Sequence, residues 1–176
     1  INYIFIISCL FNIAWIVCFS LGTKTTIIIS VFLIFGLLGC LITIQQKCQF
    51  FTNNVTVSNV LCIGIPFSLY LGWIMSASIV NVACCVNSWT TVQNPEWGYY
   101  ALLVIAAILY SINLFKENNY VTMLVFIYVS ISLMFKYMGN NKPLSDFTIG
   151  LLYFSIFVIV VKITLQVICK NINNAK

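Results

Sequence analysis

Ser58 to Val86 reads SNVLCIGIPFSLYLGWIMSASIVNVACCV and carries no ionisable acid, lysine or arginine, yet it is long enough to cross a bilayer. It is not uniformly apolar. Pro66, Ser68, Tyr70, Gly72, Trp73, Ser76, Ala77 and Asn81 interrupt it. At helical pitch, Pro66, Tyr70, Trp73, Ala77 and Asn81 recur at steps of three or four residues, which predicts a single stripe along one face. An asparagine amide and a phenol are costly in hydrocarbon without a partner, so the stripe should face other helices or a cavity. Gly72, Ser76 and Ala77 would let a neighbouring backbone or a flat ligand approach closely.

The rest of the chain has the same character. With 62% hydrophobic residues, 6% charged residues and a mean hydropathy of +1.07, it lies far from soluble domains, in which about a quarter of residues are charged. Six apolar windows reach spanning length: 3–21, 25–43, 58–86, 98–115, 120–138 and 147–169. They are continuous rather than alternating with period two, so the expected class is all-α, a polytopic membrane bundle of six transmembrane helices in one membrane domain. The eight basic residues are all lysines and mark loops. Lys47, Lys116, Lys170 and Lys176 fall on one side and Lys24, Lys136 and Lys142 on the other, a near balance that leaves the orientation open. Nothing in this charge pattern suits a nucleic-acid surface.

The chain has no histidine, which excludes an imidazole-ligated zinc or haem and a histidine general base. Eight cysteines form no CxxC pair and read as small packing residues, with Cys48 alone expected in an exposed loop. No phosphate-binding glycine loop, carboxylate pair or Ser/His/Asp arrangement can be assembled, and none of the three acids lies mid-span, so neither an enzyme nor an ion-coupled transporter is expected.

Along the first span, Asn12, Trp15 and Phe19 share a helix face. Gly22 to Thr25 is a tight connection that should make the first two spans antiparallel neighbours, and Gly36 and Gly39 in the second predict close packing. The stretch QQKCQFFTNNVTVS reads as a loop containing the glycosylation sequon at Asn54. Pro66 should kink or loosen the central helix. Trp89 and Trp97 fit an interfacial belt or a lid over the central site. Lys116 to Asn119 joins a second hairpin, Ser145 or Asp146 is expected to cap the last helix, and Lys162 to snorkel towards the nearer surface.

Two motifs carry a resemblance. Asn12-Ile13-Ala14-Trp15 followed by Phe19 resembles the third helix of the translocator protein family, the tryptophan-rich sensory proteins or TspO/MBR family. Leu69-Tyr70-Leu71-Gly72-Trp73 with Ala77 and Asn81 is similar to that family's fifth-helix pattern PYLxW followed by Ala and Asn. The resemblance implies an intramembrane pocket for a flat hydrophobic ligand, a porphyrin, sterol or other lipid, lined by Asn12, Trp15, Phe19, Tyr70, Trp73, Ala77 and Asn81. It implies a sensor or carrier with no covalent cofactor, whose ligand would be a tetrapyrrole or lipid. Leu69 replaces the motif proline, and Pro66 lies about one turn earlier. The motifs cover residues 1–86; residues 87–176 are expected to be a three-helix extension, and the family's first two helices to precede Ile1. The competing expectation is a non-catalytic structural subunit that packs against other membrane subunits or further copies of itself. The compartment stays open, a mitochondrial membrane among the candidates.

Overall fold

A computed structural model describes residues 2–51, 55–89 and 96–174. Asn54 of the sequon lies outside these residues, as does the Trp97 side chain. Six long helices account for nearly all of them: α1 (Asn2–Leu21), α2 (Lys24–Cys48), α3 (Val57–Trp89), α4 (Glu96–Glu117), α5 (Tyr120–Tyr137) and α6 (Lys142–Asn174). No strand occurs among the described residues, and all six helices are long and apolar enough to cross a membrane. The predicted class is therefore the observed one.

The tight turns are built by particular residues. Gly22 takes φ +64°, a left-handed conformation open to glycine, and Thr23 then caps α2. The Thr23 hydroxyl accepts from the Thr26 amide at 3.2 Å while the Thr26 hydroxyl accepts from the Thr23 amide at 3.0 Å, a reciprocal capping box. Between α4 and α5, Asn118 takes φ 53° and the Asn119 side chain accepts from the Thr122 amide at 3.2 Å. α6 starts at Lys142, with the Leu144 amide donating to Asn141 Oδ1 at 3.2 Å. This corrects the expected cap: Ser145 is already inside the helix, where its hydroxyl donates to the Met134 carbonyl of α5 at 3.3 Å. Pro143 in the first turn loses no bond there, because that turn's amides have no helical partner.

Pro66 acts on the turn that precedes it. It has no N–H for the Cys62 carbonyl, and its ring would collide with that oxygen. Val60–Gly64 widens into a π turn, with the Ile65 amide reaching back to the Val60 carbonyl. α3 is thus locally loosened without being broken.

α2 packs on α1 and α3, α5 on α3, α4 and α6, and α4 also on α3 and α6. The core between them is centred on Ile34, Leu37, Leu71, Ile74, Tyr110 and Phe126. Tyr110 and Phe126 stack at 4.8 Å between centroids, and the Tyr110 hydroxyl donates to the Gly72 carbonyl and meets Ser76 Oγ at 2.7 Å. A buried phenol inside a membrane bundle thereby finds partners on a neighbouring helix. Gly36 is close-packed as expected, since a Cβ there would sit 2.8 Å from the Phe11 ring, but Gly39 faces open space.

Two sequence expectations shift at the end of α2. Gln45 to Cys48 are helical rather than loop, Gln45 is only 4% exposed, and Cys48 is half-buried. Lys162 does more than snorkel: its ammonium donates to the Phe115 carbonyl at 3.1 Å and lies 5.4 Å from the Phe115 ring. A cation against the last turn of α4 meets the negative end of that helix. Lys162→Met keeps most of the apolar stem and is expected to cost about 1 kcal/mol, read as a lowered thermal midpoint in detergent.

Candidate functional site

The stripe on α3 stands on the boundary between two neighbours, and its residues divide between them. Asn81 is 1% exposed and turns to α2, where its Nδ2 donates to Ser30 Oγ at 3.0 Å. The Ser30 hydroxyl in turn donates to the Ile27 carbonyl at 2.7 Å. The Asn81 amide is therefore engaged in holding α3 to α2. Tyr70, Trp73 and Ala77 border α5 instead. Tyr70 and Trp73 line a groove of about 450 Å³ with Leu69, Leu124, Val125 and Tyr128. Trp73 and Ala77 line an adjoining groove of about 340 Å³ that again includes Tyr128, with Ser132 farther along α5. Since Trp73 and Tyr128 border both, the two grooves form one seam between α3 and α5. Its mouth is lateral: Trp73 is 55% exposed and Tyr128 64%.

The seam has a sequence cause. Gly72 has no side chain, so Val125 of α5 comes close enough that its Cβ lies 2.9 Å from where a Cβ on residue 72 would stand. Close approach at Gly72 places α5 beside α3, and the aromatic rings one residue on, at Trp73, and three residues on, at Tyr128, stand on either side of the contact. The expectation that a small residue here admits a neighbour is met by a helix.

On α1, Trp15 and Phe19 lie with ring centroids 6.0 Å apart. Phe19 is 37% exposed, Asn12 is half-buried, and Trp15 packs in part against the core. The Trp15 indole Nε1 is buried without a hydrogen-bond partner among the described residues. The α1 residues Asn12, Trp15 and Phe19 do not line the α3–α5 seam. α1 does approach α3 at one end, where the Phe5 and Phe67 rings come to 6.0 Å.

Sequence reasoning passed over two groups. Tyr128 carries a phenol in mid-span, the same signal that singled out Tyr70. The second is a buried amide cluster. Asn119 Nδ2 donates to Gln45 Oε1 at 3.0 Å and to Ser68 Oγ at 2.9 Å, and the Thr122 hydroxyl donates to Asn113 Oδ1 at 3.1 Å. It ties α2, α3, α4 and α5 together at one end of the bundle. Its members hydrogen-bond one another, which makes it a clasp.

A family model described as TSPO-like protein matches residues 1–167. That match continues through α4, α5 and most of α6, past Val86, where the motif resemblance stops. No curated protein and no solved structure matches the chain.

Proposed function

We propose, from the premise that this chain belongs to the TSPO-like protein family, that it is a non-catalytic membrane protein binding a flat hydrophobic molecule. The ligand class is a porphyrin, sterol or other lipid, held along the α3–α5 seam, and the role is that of sensor or carrier. One observation carries this reading: Trp73, Tyr70 and Tyr128 border a single groove from two helices, with the indole more than half exposed. In lipid, apolar surface alone gives little preference, because acyl chains are as apolar as any ligand. Preference must come from shape and from π contacts, each worth about 0.5–1.5 kcal/mol beyond burial. A planar ring system can use both indole and phenol faces, while a flexible chain uses neither well.

The test is porphyrin titration of the purified full chain, followed by the porphyrin's own absorbance so that removing a tryptophan does not remove the reporter. Trp73→Ala should weaken binding about tenfold, Tyr128→Ala by a similar factor, and Trp73→Phe much less. Equal binding by wild type and Trp73→Ala would refute the assignment.

A second reading, a structural subunit of a larger assembly, is favoured by the bare outer face of α1, where Tyr3 is 83%, Leu10 61% and Ile13 62% exposed. Co-migration with a large complex after gentle extraction would support it.

A further inference from the structure

α2 and α4 flank α3 without packing against each other along their length. The gap is a cleft of about 380 Å³, walled by Leu38 and Ile42 of α2, Met75 and Ile79 of α3, and Ile105 and Leu109 of α4. It lies on a different side of α3 from the aromatic seam and shares no lining residue with it. One end is polar, bordered by Gln46, Asn113, Lys116 and Glu117. From Ile105 to Lys116 the helix rises roughly 16 Å, close to the ~15 Å of one leaflet. The polar end coincides with the ends of α2 and α4, at headgroup depth, and the apolar part reaches towards mid-bilayer.

We infer that this cleft binds a zwitterionic phospholipid bearing a primary ammonium, with one acyl chain between α2 and α4 and the headgroup at Lys116 and Glu117. The two charges sit side by side on α4, a spacing at which side chains do not face each other. Neither has an ion-pair partner among the described residues. Asn113 Oδ1 accepts from Thr122 at 3.1 Å and from Gln45 at 3.4 Å, which leaves its amide hydrogens to donate. Lys116 and the Asn113 amide complement a phosphate, and Glu117 complements the ammonium beside it. The length of the apolar wall suits a chain, and its lining, with Phe35 as the one aromatic among the described residues, does not present the paired aromatic faces of the other seam.

The full chain is reconstituted in nanodiscs of equal phosphatidylethanolamine and phosphatidylglycerol, transferred to gentle detergent and examined by native mass spectrometry. One phosphatidylethanolamine per chain should be retained in preference to phosphatidylglycerol. Ile105→Trp, which fills the cleft from a half-exposed position, should lower retention about tenfold, and Lys116→Gln and Glu117→Gln several-fold each. Ile108→Trp, at a position 52% exposed and outside the cleft wall, should leave it unchanged and controls for folding. Equal retention of the two lipids, or the same loss in Ile105→Trp and Ile108→Trp, would overturn the inference. Porphyrin binding should persist in Ile105→Trp and lipid retention in Trp73→Ala, so failure at one site is distinguishable from failure at the other.

Discussion

Asn119→Ala should lower the unfolding free energy by about 2–3 kcal/mol, one of the two largest effects expected of a single substitution in this chain. Asn119 is fully buried and uses each of its groups. Its two amide hydrogens go to Gln45 Oε1 at 3.0 Å and Ser68 Oγ at 2.9 Å, and its carbonyl oxygen accepts from the Thr122 amide at 3.2 Å. Alanine removes an N-cap worth about 1 kcal/mol. It also strands the Gln45 carbonyl oxygen, whose desolvation costs about 1–3 kcal/mol when left without a donor. Interhelical hydrogen bonds in membranes average only about 0.6 kcal/mol, because the separated helices also find partners, and that holds the total near the lower end of the sum. Detergent-titrated unfolding in mixed micelles measures it. Asn119→Ser separates the contributions: serine can still cap α5 but cannot reach both α2 and α3, so it should recover only the cap's share. Equal stability of wild type and Asn119→Ala would show that the clasp does not hold the four helices together.

Asn119 also shows where sequence reading succeeds and where it stops. Spans are legible because about 20 consecutive apolar residues have few alternatives to a membrane helix, and all six windows are helices in the structure. Their ends are less legible. Gln45, Gln46 and Lys47 are polar and read as loop, yet α2 runs through them because the Gln45 amide has partners on α4 and α5. Polarity signals a surface only when no buried partner exists, and a single sequence does not say which distant segment supplies one. The α3 stripe fails to resolve for a related reason. Its spacing places Tyr70, Trp73, Ala77 and Asn81 within one arc, but periodicity does not say where one neighbour ends and the next begins. Asn81 falls on the α2 side and Trp73 on the α5 side of that boundary. Tyr128 completes the aromatic groove from a helix that looked featureless.

Gly72→Leu should be comparably damaging, at about 3 kcal/mol, and should abolish porphyrin binding as well as weaken the fold. The contact at stake is the closest approach of α3 to α5, where an added Cβ would stand 2.9 Å from Val125 Cβ and 3.0 Å from its Cγ2. Both obstructing atoms sit at or next to a branched Cβ in a helix, where χ1 has essentially one rotamer, so Val125 cannot swing aside. The helices must separate, and Tyr110 of α4, which bonds the Gly72 carbonyl of α3 while stacking on Phe126 of α5, cannot keep both contacts. Separation also parts Tyr70 and Trp73 from Tyr128, so the groove loses one wall. Gly72→Ala should be milder, since alanine's helix propensity returns about 1 kcal/mol of the clash. A double-mutant cycle identifies the cause. Val125→Gly, which removes the obstructing Cβ with both methyls, leaves a void and destabilises by about 2–3 kcal/mol, whereas Gly72→Ala combined with Val125→Gly fills that void from the opposite side. The pair should therefore be more stable than the sum of the single losses by about 1 kcal/mol or more, with porphyrin binding restored in parallel. Strict additivity would mean that Gly72 and Val125 do not meet, and the seam between α3 and α5 would need another origin.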